Sequence, residues 1–222
     1  MMRCVRYFAI GCLLPVLVFI QCTSGMRNDS PKTISLWNGK DFTGWAFALA
    51  DSTVNPLNVW SVQNGVIRCV GKPNGYMYTT TDYANYVLTV EWRWPGAGGN
   101  SGVFTHAQAP FTVWPRCIEC QLQSGNAGNF VIMNQGSITV AGKPYNNTAQ
   151  FMGVRKMKDS SEKPLGEWNT YRIIRRNDTL TCYVNDVLQN EGSLATFTKG
   201  RICLQSEGSE VEFRNVRLEL LP

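Results

Sequence analysis

The sequence predicts an all-β domain built as a two-sheet sandwich. Three observations predict it. Apolar and polar residues alternate with period two over many short stretches. Those stretches are separated by Gly, Asn and Pro. No long segment carries the period of an amphipathic helix. Each such strand buries one face, and two buried faces packed together make a sandwich, here expected with jelly-roll topology.

The elements follow in chain order. Val59 to Val62 and Val66 to Val70 flank Asn64-Gly65, a dipeptide suited to a tight hairpin turn. Tyr86 to Trp94 sets Leu88, Val90, Trp92 and Trp94 on one face and Val87, Thr89, Glu91 and Arg93 on the other. Pro95 to Gly102 is a glycine-rich connection. It lacks the Gly-Lys-Ser/Thr of a phosphate loop, and Val103 and Phe104 continue as strand, so it reads as a link that lets backbone approach a ligand. Arg116 to Gln123 sets Ile118, Cys120 and Leu122 against Cys117, Glu119, Gln121 and Gln123. Tyr171 to Arg176 and Leu180 to Val184 flank the turn Asn177-Asp178, and Val187 and Leu188 extend that region past Asn185-Asp186. Arg201 to Ser206 and Val211 to Leu220 close the domain. Asn134 to Pro164 is the least regular stretch and reads as long loops with room for a short strand.

Ahead of this domain lies a leader. Arg3 and Arg6 precede an apolar run from Phe8 to Ile20 that contains Pro15, too short and too interrupted for a membrane span but suited to a secretory signal. Cys22 follows at once and resembles the acylated cysteine of bacterial lipoproteins, although that motif prefers Leu where Phe19 stands and a small residue where Gln21 stands. The expected organisation is a signal over 1–21, a lipid-anchored tether over 22–32 and the β-sandwich over 33–222. The expected location is the cell envelope, with the lipid as the sole membrane contact. Simple secretion with cleavage near Ser24 is the alternative.

Charge and cysteines narrow the classes. The 21 basic and 16 acidic residues give a net charge of +5 without a block of either sign, so nothing marks a nucleic-acid surface. Cys69, Cys117, Cys120, Cys182 and Cys203 remain beyond the leader and the anchor. An odd set cannot pair completely. Cys117 and Cys120 form a single CxxC in a strand-like run, where their side chains point to opposite faces, so neither a zinc ribbon nor a redox helix is indicated. The cysteines read as small buried hydrophobes, with one unspecified disulfide open.

Three strands carry paired polar groups opposite strongly apolar faces: Glu91 with Arg93, Glu119 with Gln121, and Gln205 with Glu207. Each pair alone is what an ordinary solvent face shows. Lys is absent from all three, and carboxylate, amide and guanidinium groups are those that bond vicinal hydroxyls in pairs. Edged by Trp and Tyr, such a face suits a sugar. Asn100 and Ser101, in the glycine-rich connection, are further candidate substrate contacts. His106, the sole His, is a candidate acid–base group or metal ligand beside that face.

These residues together resemble the 3-keto-disaccharide hydrolase domain family. The similarity runs from about Ile34 to the C-terminus and is carried by Ser35–Trp45 (SLWNGKDFTGW), Trp60–Ile67 (WSVQNGVI), Tyr86–Arg93 (YVLTVEWR), Gly99–Phe104 (GNSGVF), Ile118–Leu122 (IECQL), Pro164–Asn169 (PLGEWN), Gly200–Gly208 (GRICLQSEG) and Val211–Val216 (VEFRNV). The motifs are specific as an ordered set rather than singly. The resemblance implies a concanavalin-like jelly roll, export, and an oxidised oligosaccharide or glycoside as substrate, with the polar pairs on a concave face. Ala127 to Lys163 is the part least like the family, and the part expected to set substrate preference.

A ketone at sugar C3 acidifies the C2 proton, so a base, a group to stabilise the enolate and an acid for the departing group are needed. From sequence, Glu119 is the first choice for base, Arg93 for the enolate, and His106 or Glu91 for the acid. Gln121, Gln205 and Glu207 would hold hydroxyls. No cofactor is required by the residues. A divalent cation held by Glu91, Glu119, His106 and Glu207 is an alternative to Arg93, although no metal-spacing motif shows one. Two other classes stay open. A non-catalytic carbohydrate-binding domain would use the same face. An ordinary glycosidase would need a carboxylate pair such as Glu91 with Glu119. The Glu-x-Asp-x-x-Glu pattern of jelly-roll glucanases is missing, because Gln121 and Ser124 follow Glu119.

Overall fold

A computed structural model describes residues 32–222. The signal, Cys22 and nearly all of the tether lie outside the described residues. The strands are β1 (Thr33–Ser35), β2 (Trp45–Leu49), β3 (Trp60–Gln63), β4 (Val66–Cys69), β5 (Gly75–Thr79), β6 (Tyr86–Arg93), β7 (Gly102–Gln108), β8 (Arg116–Gln121), β9 (Phe130–Met133), β10 (Ser137–Val140), β11 (Lys143–Asn146), β12 (Phe151–Val154), β13 (Asn169–Arg176), β14 (Thr179–Val184), β15 (Val187–Gly192), β16 (Arg201–Ser206) and β17 (Val211–Leu220). They form two large antiparallel sheets and the small hairpin β10-β11. The first sheet runs β15-β14-β13-β6-β17-β4-β3, with β1 beside β17. The second runs β12-β9-β8-β7-β16-β5-β2. This is the expected jelly-roll sandwich.

Period-two patterning places the core. In β6, β13 and β14 burial alternates residue by residue, so Leu88, Val90, Trp92, Tyr171, Ile173 and Cys182 face inward. They meet Val103, Ile118, Cys120, Phe130, Ile132 and Leu204 from the second sheet. The turn at Asn64-Gly65 takes positive φ at both residues, 53° and 77°, as a two-residue hairpin of matching twist requires. The stretch from Asn134 is more regular than its pattern suggests, with β10 to β12 inside it. The β10-β11 hairpin turns on Ala141 and Gly142, both at positive φ, and alanine there gives no turn signal in sequence.

The second sheet differs from the first because it is covered on both sides. Tyr76, Phe104, Ala107, Cys117, Met133 and Cys203 form a further buried cluster on its outer face, with Tyr78, Phe111, Trp114 and Val131 packed against them. Its central strands therefore lose the alternation of burial, and β7 is buried from Gly102 to Ala107. All five described cysteines are buried, with Cys117 and Cys120 on opposite faces.

One residue departs from simple alternation. His106 should share the outer face with Phe104. Instead β7 bulges there: its register against β8 shifts between Thr105 and Gln108, and His106 sits at φ 51°. The bulge re-aims the ring into the core between the sheets, where it is fully buried. Arg175 of β13 donates to His106 Nδ1 through Nη2 at 2.7 Å and Nε at 3.1 Å, and Nη2 also reaches the Phe197 carbonyl. Nε2 of the ring donates to the Ala84 carbonyl at 2.9 Å. Nδ1 also lies 2.9 Å from the Phe197 carbonyl, but with the Arg175 guanidinium donating to it the ring is neutral. Burial, reinforced by the Arg175 charge, lowers the His106 pKa to about 3. His106 is a tie between sheets rather than an acid beside the polar face.

The unfolded chain therefore binds a proton at His106 that the folded chain refuses. Stability is fullest above pH 6.5 and falls as the pH drops toward 3. The titratable-free variant His106→Gln should lack that part of the acid dependence in denaturant unfolding curves. His106→Ala, which removes the acceptor of a buried guanidinium, should lose about 1.5–3 kcal/mol of stability at neutral pH.

Candidate functional site

The outer face of the second sheet gathers polar groups from adjacent strands. Glu119 and Gln121 stand on β8, and Gln205 lies on β16, with Glu207 just beyond its end. Between them runs β7, paired Gly102 to Gln121 and Phe104 to Glu119. Asn100, ahead of β7, bridges to Glu207 and Gly208. The site is thus a three-strand construction whose middle strand contributes a glycine. A Cβ at Gly102 would lie 2.0 Å from Glu119 Oε1. The missing side chain is the space the carboxylate occupies, and this accounts for the last glycine of Gly99-Asn100-Ser101-Gly102.

Asn100, Glu119, Gln121, Gln205 and Glu207 line a pocket of about 150 Å³, walled by Val131 and Met133 of β9, Phe151 of β12, and Trp114. Trp114 and Phe151 meet edge to face, with ring centroids 5.2 Å apart. Phe151 is 44% exposed, so this aromatic corner opens to solvent. The walls were not legible as site residues. Trp114 lies in an irregular segment and Phe151 on a short edge strand, so neither stood on a face with the polar pairs.

The electrostatics are unusual for a strand surface. Glu119 is only 2% exposed, and its Oε1 has no hydrogen-bond partner. Burial first, then the nearby Glu207, holds its pKa well above the ordinary carboxylate range. Burial also raises Glu207, which accepts a hydrogen bond from Asn100 Nδ2 at 2.8 Å. Asn100 Oδ1 and both polar atoms of the Gln205 amide are likewise buried without partners. An unmet buried polar group costs stability, and such groups are rare in folded proteins. Four of them converge on one pocket and leave hydrogen-bonding capacity there that a polar ligand can meet.

The structure does not bring all the expected site residues here. Glu91 and Arg93 lie on β6, in the other sheet, and their side chains are on that sheet's outer face. Glu91 pairs with Arg214 at 2.6 Å and Asn215 at 2.8 Å. Arg93 pairs with Glu212 at 2.6 Å and lies over the Trp168 ring. Alternation places both on a polar face, but strands of equal pattern belong to different sheets, β6 to the first and β8 to the second. Glu91 and Glu119 are therefore no carboxylate pair, Arg93 is no enolate partner, and Glu91, Glu119, His106 and Glu207 do not converge on a cation. Among the described residues no three His, Cys, Asp or Glu side chains form a metal-binding group. Ser101 is fully buried and donates to the Gln205 carbonyl at 2.8 Å, so it braces the site instead of lining it. The glycine-rich connection packs against protein: Cβ atoms at Gly98 and Gly99 would meet the side chains of Ser124 and Ser209.

Known proteins place this architecture. The family described as the 3-keto-alpha-glucoside-1,2-lyase-like domain matches residues 32–219. A 3-keto-disaccharide hydrolase from Bacteroides thetaiotaomicron is 23% identical over 87% of this chain and 80% of its own. The crystal structure of a putative glycosyl hydrolase from Parabacteroides distasonis is 25% identical, covers 86% of this chain and 94% of its own, and superposes with a TM-score of 0.61. The β-glucanase of Bacillus licheniformis, at 15% identity, shares the fold over 88% of this chain and all of its own, with a TM-score of 0.55.

The buried carboxyl generates a prediction about stability. Its folded pKa is raised, so its contribution is fully present below 4.5 and is lost as the pH rises toward the folded value. Glu119→Gln, neutral at every pH, escapes that loss. Melting temperatures measured across a pH series should converge in acid and show the variant increasingly more stable than the parent as pH rises.

Proposed function

The chain belongs to the 3-keto-alpha-glucoside-1,2-lyase-like domain family, and from that premise we propose that it cleaves 3-keto-glycosides by removing the C2 proton and expelling the group at C1. Family and relatives support a carbohydrate-active hydrolase at the coarser level. The observation that carries the finer reading is the pair of carboxyls, Glu119 and Glu207, facing one pocket in unequal surroundings.

Paired acids divide their labour when their environments push their pKa values apart. Glu119, wholly buried with one oxygen unpartnered, has its pKa raised and so favours its protonated form. Glu207 is less enclosed: burial raises its pKa too, but the Gln205 side chain beside it favours its charged form, and Asn100 Nδ2 holds the carboxylate in place. Glu207 is therefore assigned the C2 proton, and Glu119 the donation of a proton to the departing oxygen at C1. The environment thus favours an acid's role for Glu119 over the base's role suggested by sequence. Gln205 Nε2, a buried amide donor beside Glu207 that makes no close hydrogen bond, suits the enolate oxygen. The electron pair of the C2–H bond forms the double bond as the C1–O bond breaks. Water adding across the resulting enone completes a net hydrolysis, with the carboxyls restored to their starting protonation.

The decisive assay compares a 3-keto-glucoside with its unoxidised parent, with and without a chelator. Turnover is expected for the keto compound alone. Glu119→Gln and Glu207→Gln should each lower kcat by about a hundred- to ten-thousand-fold. Activity should fall in acid as Glu207 takes up its proton and in base as Glu119 loses its own, both limbs lying above the usual carboxylate value of 4.5. Undiminished turnover in both variants overturns the assignment. Glycan binding with turnover of neither compound moves the protein to the non-catalytic carbohydrate-binding class.

A further inference from the structure

We propose that the cleft on the far side of Trp114 is the subsite for the departing half of the substrate, and that it takes a second sugar ring. The inference rests on the reading of the Glu119 pocket just given. That pocket, at about 150 Å³, encloses the reacting ring and leaves the group on C1 to be held elsewhere. A larger cleft of about 520 Å³ begins at the same Trp114 and continues past Arg116, Asn134, Gln135, Thr148 and Gln150. Two other surface hollows, of about 430 and 470 Å³, share no wall residue with the Glu119 pocket, so a substrate reacting there cannot reach them through a common wall.

The chemistry of the lining selects the ligand. Four of these five side chains are neutral amides or hydroxyls, groups that both give and accept hydrogen bonds and so match vicinal hydroxyls. Gln135, Thr148 and Gln150 are exposed and free to do so. Trp114 supplies an apolar ring at the junction, the surface a pyranose face stacks on. Its backbone is fixed in place: the Trp114 carbonyl accepts from Asn134 Nδ2 at 2.7 Å and from Thr112 Oγ1 at 3.1 Å. A wall held this way costs little ordering when a ligand arrives. The acid–base pair thus works on one side of Trp114 and neutral recognition on the other.

The test uses the double variant Thr148→Ala/Gln150→Ala, two exposed side chains that do not line the Glu119 pocket. It compares a 3-keto-disaccharide with methyl 3-keto-glucoside, which has no second ring. Loss of two neutral hydrogen bonds should lower kcat/KM on the disaccharide by about tenfold and leave the methyl glycoside unchanged. Equal loss on both substrates, or on neither, overturns the subsite. If the unaltered protein turns over neither keto compound, the proposed reaction fails and calorimetry decides the subsite instead. Tighter binding of the unoxidised disaccharide than of methyl glucoside, with the preference erased in the variant, sustains it. Absence of any preference overturns it.

A separate observation in the core assigns a cross-link. Cys120 of β8 and Cys182 of β14 are fully buried on the facing sides of the two sheets, with Sγ atoms 2.7 Å apart. Two thiols at rest stay farther apart than this, whereas a disulfide needs about 2.05 Å. Cys117, the neighbour of Cys120 in the CxxC, points to the other face, with its Sγ against Met133 Sδ at 3.7 Å. We infer that Cys120 and Cys182 form an inter-sheet disulfide. Both thiols give up a proton, and the two electrons pass to an oxidised dithiol or to glutathione disulfide, whose S–S bond opens to two thiols. Refolding the full chain with glutathione disulfide, then alkylating and mapping peptides without reductant, should yield one linked pair containing Cys120 and Cys182. Reduction should lower the melting temperature. Separate alkylation of both cysteines, or pairing of either with another partner, overturns the assignment.

Discussion

The site depends on one constraint: the second sheet is buried on both faces. In the first sheet, outward residues such as Glu91 and Arg93 meet solvent and pair with neighbours there. In the second, a cluster of Tyr76, Phe104, Cys117 and Cys203 covers the outer face around the polar strands. A glutamate on that face leaves water as completely as one in the core. Glu119 shows the consequence, being almost wholly enclosed, with an oxygen that no protein group satisfies. The energetic penalty and the chemical capacity of the site come from the same burial.

Burial alone would make Glu119 a defect. The neighbouring strands make it a device. Gly102 clears the volume that the carboxyl fills, and Ser101 anchors the backbone beside Gln205. Asn100 tethers Glu207 while leaving its own carbonyl oxygen unmet. Glu119 and Gln205 stand on β8 and β16, paired to β7 through backbone ladders, and Asn100 and Glu207 meet through a bridge just beyond the strand ends, so the polar groups are held by and beside the sheet. A substrate that supplies hydroxyls and a carbonyl would satisfy what the protein leaves open, and would do so without first rearranging the sheet.

Much of this was legible from the chain. Period two located β6, β8, β13, β14, β16 and β17 and separated the two faces of Tyr86–Trp94 and Arg116–Gln123, because a half-buried strand writes its orientation into its composition. It also singled out Glu119, Gln121, Gln205 and Glu207. What period two cannot state is which sheet a strand joins. Glu91 and Arg93 carry the same signature as Glu119 and Gln121, and only long-range pairing separates them. Nor can it register a bulge. His106 follows Phe104 by two residues and should share its face, but one extra residue in β7 sends the ring inward to Arg175. The walls escaped for a related reason, since Trp114 and Phe151 reach the site through tertiary packing without local periodicity.

The departures from alternation therefore mark where the fold does more than pack. At His106 the irregularity links the two sheets through a neutral ring and a buried guanidinium, a pairing that tolerates neither partner's loss. At Glu119 the irregularity is chemical, a carboxyl retained where an apolar side chain would stabilise the sheet more. The two sites answer pH differently. The ring between the sheets weakens the fold as acid rises, whereas the carboxyl weakens it as acid falls. The domain thus keeps its structural tie on the inner face of the second sheet and its buried carboxyl on the outer face of the same strand layer.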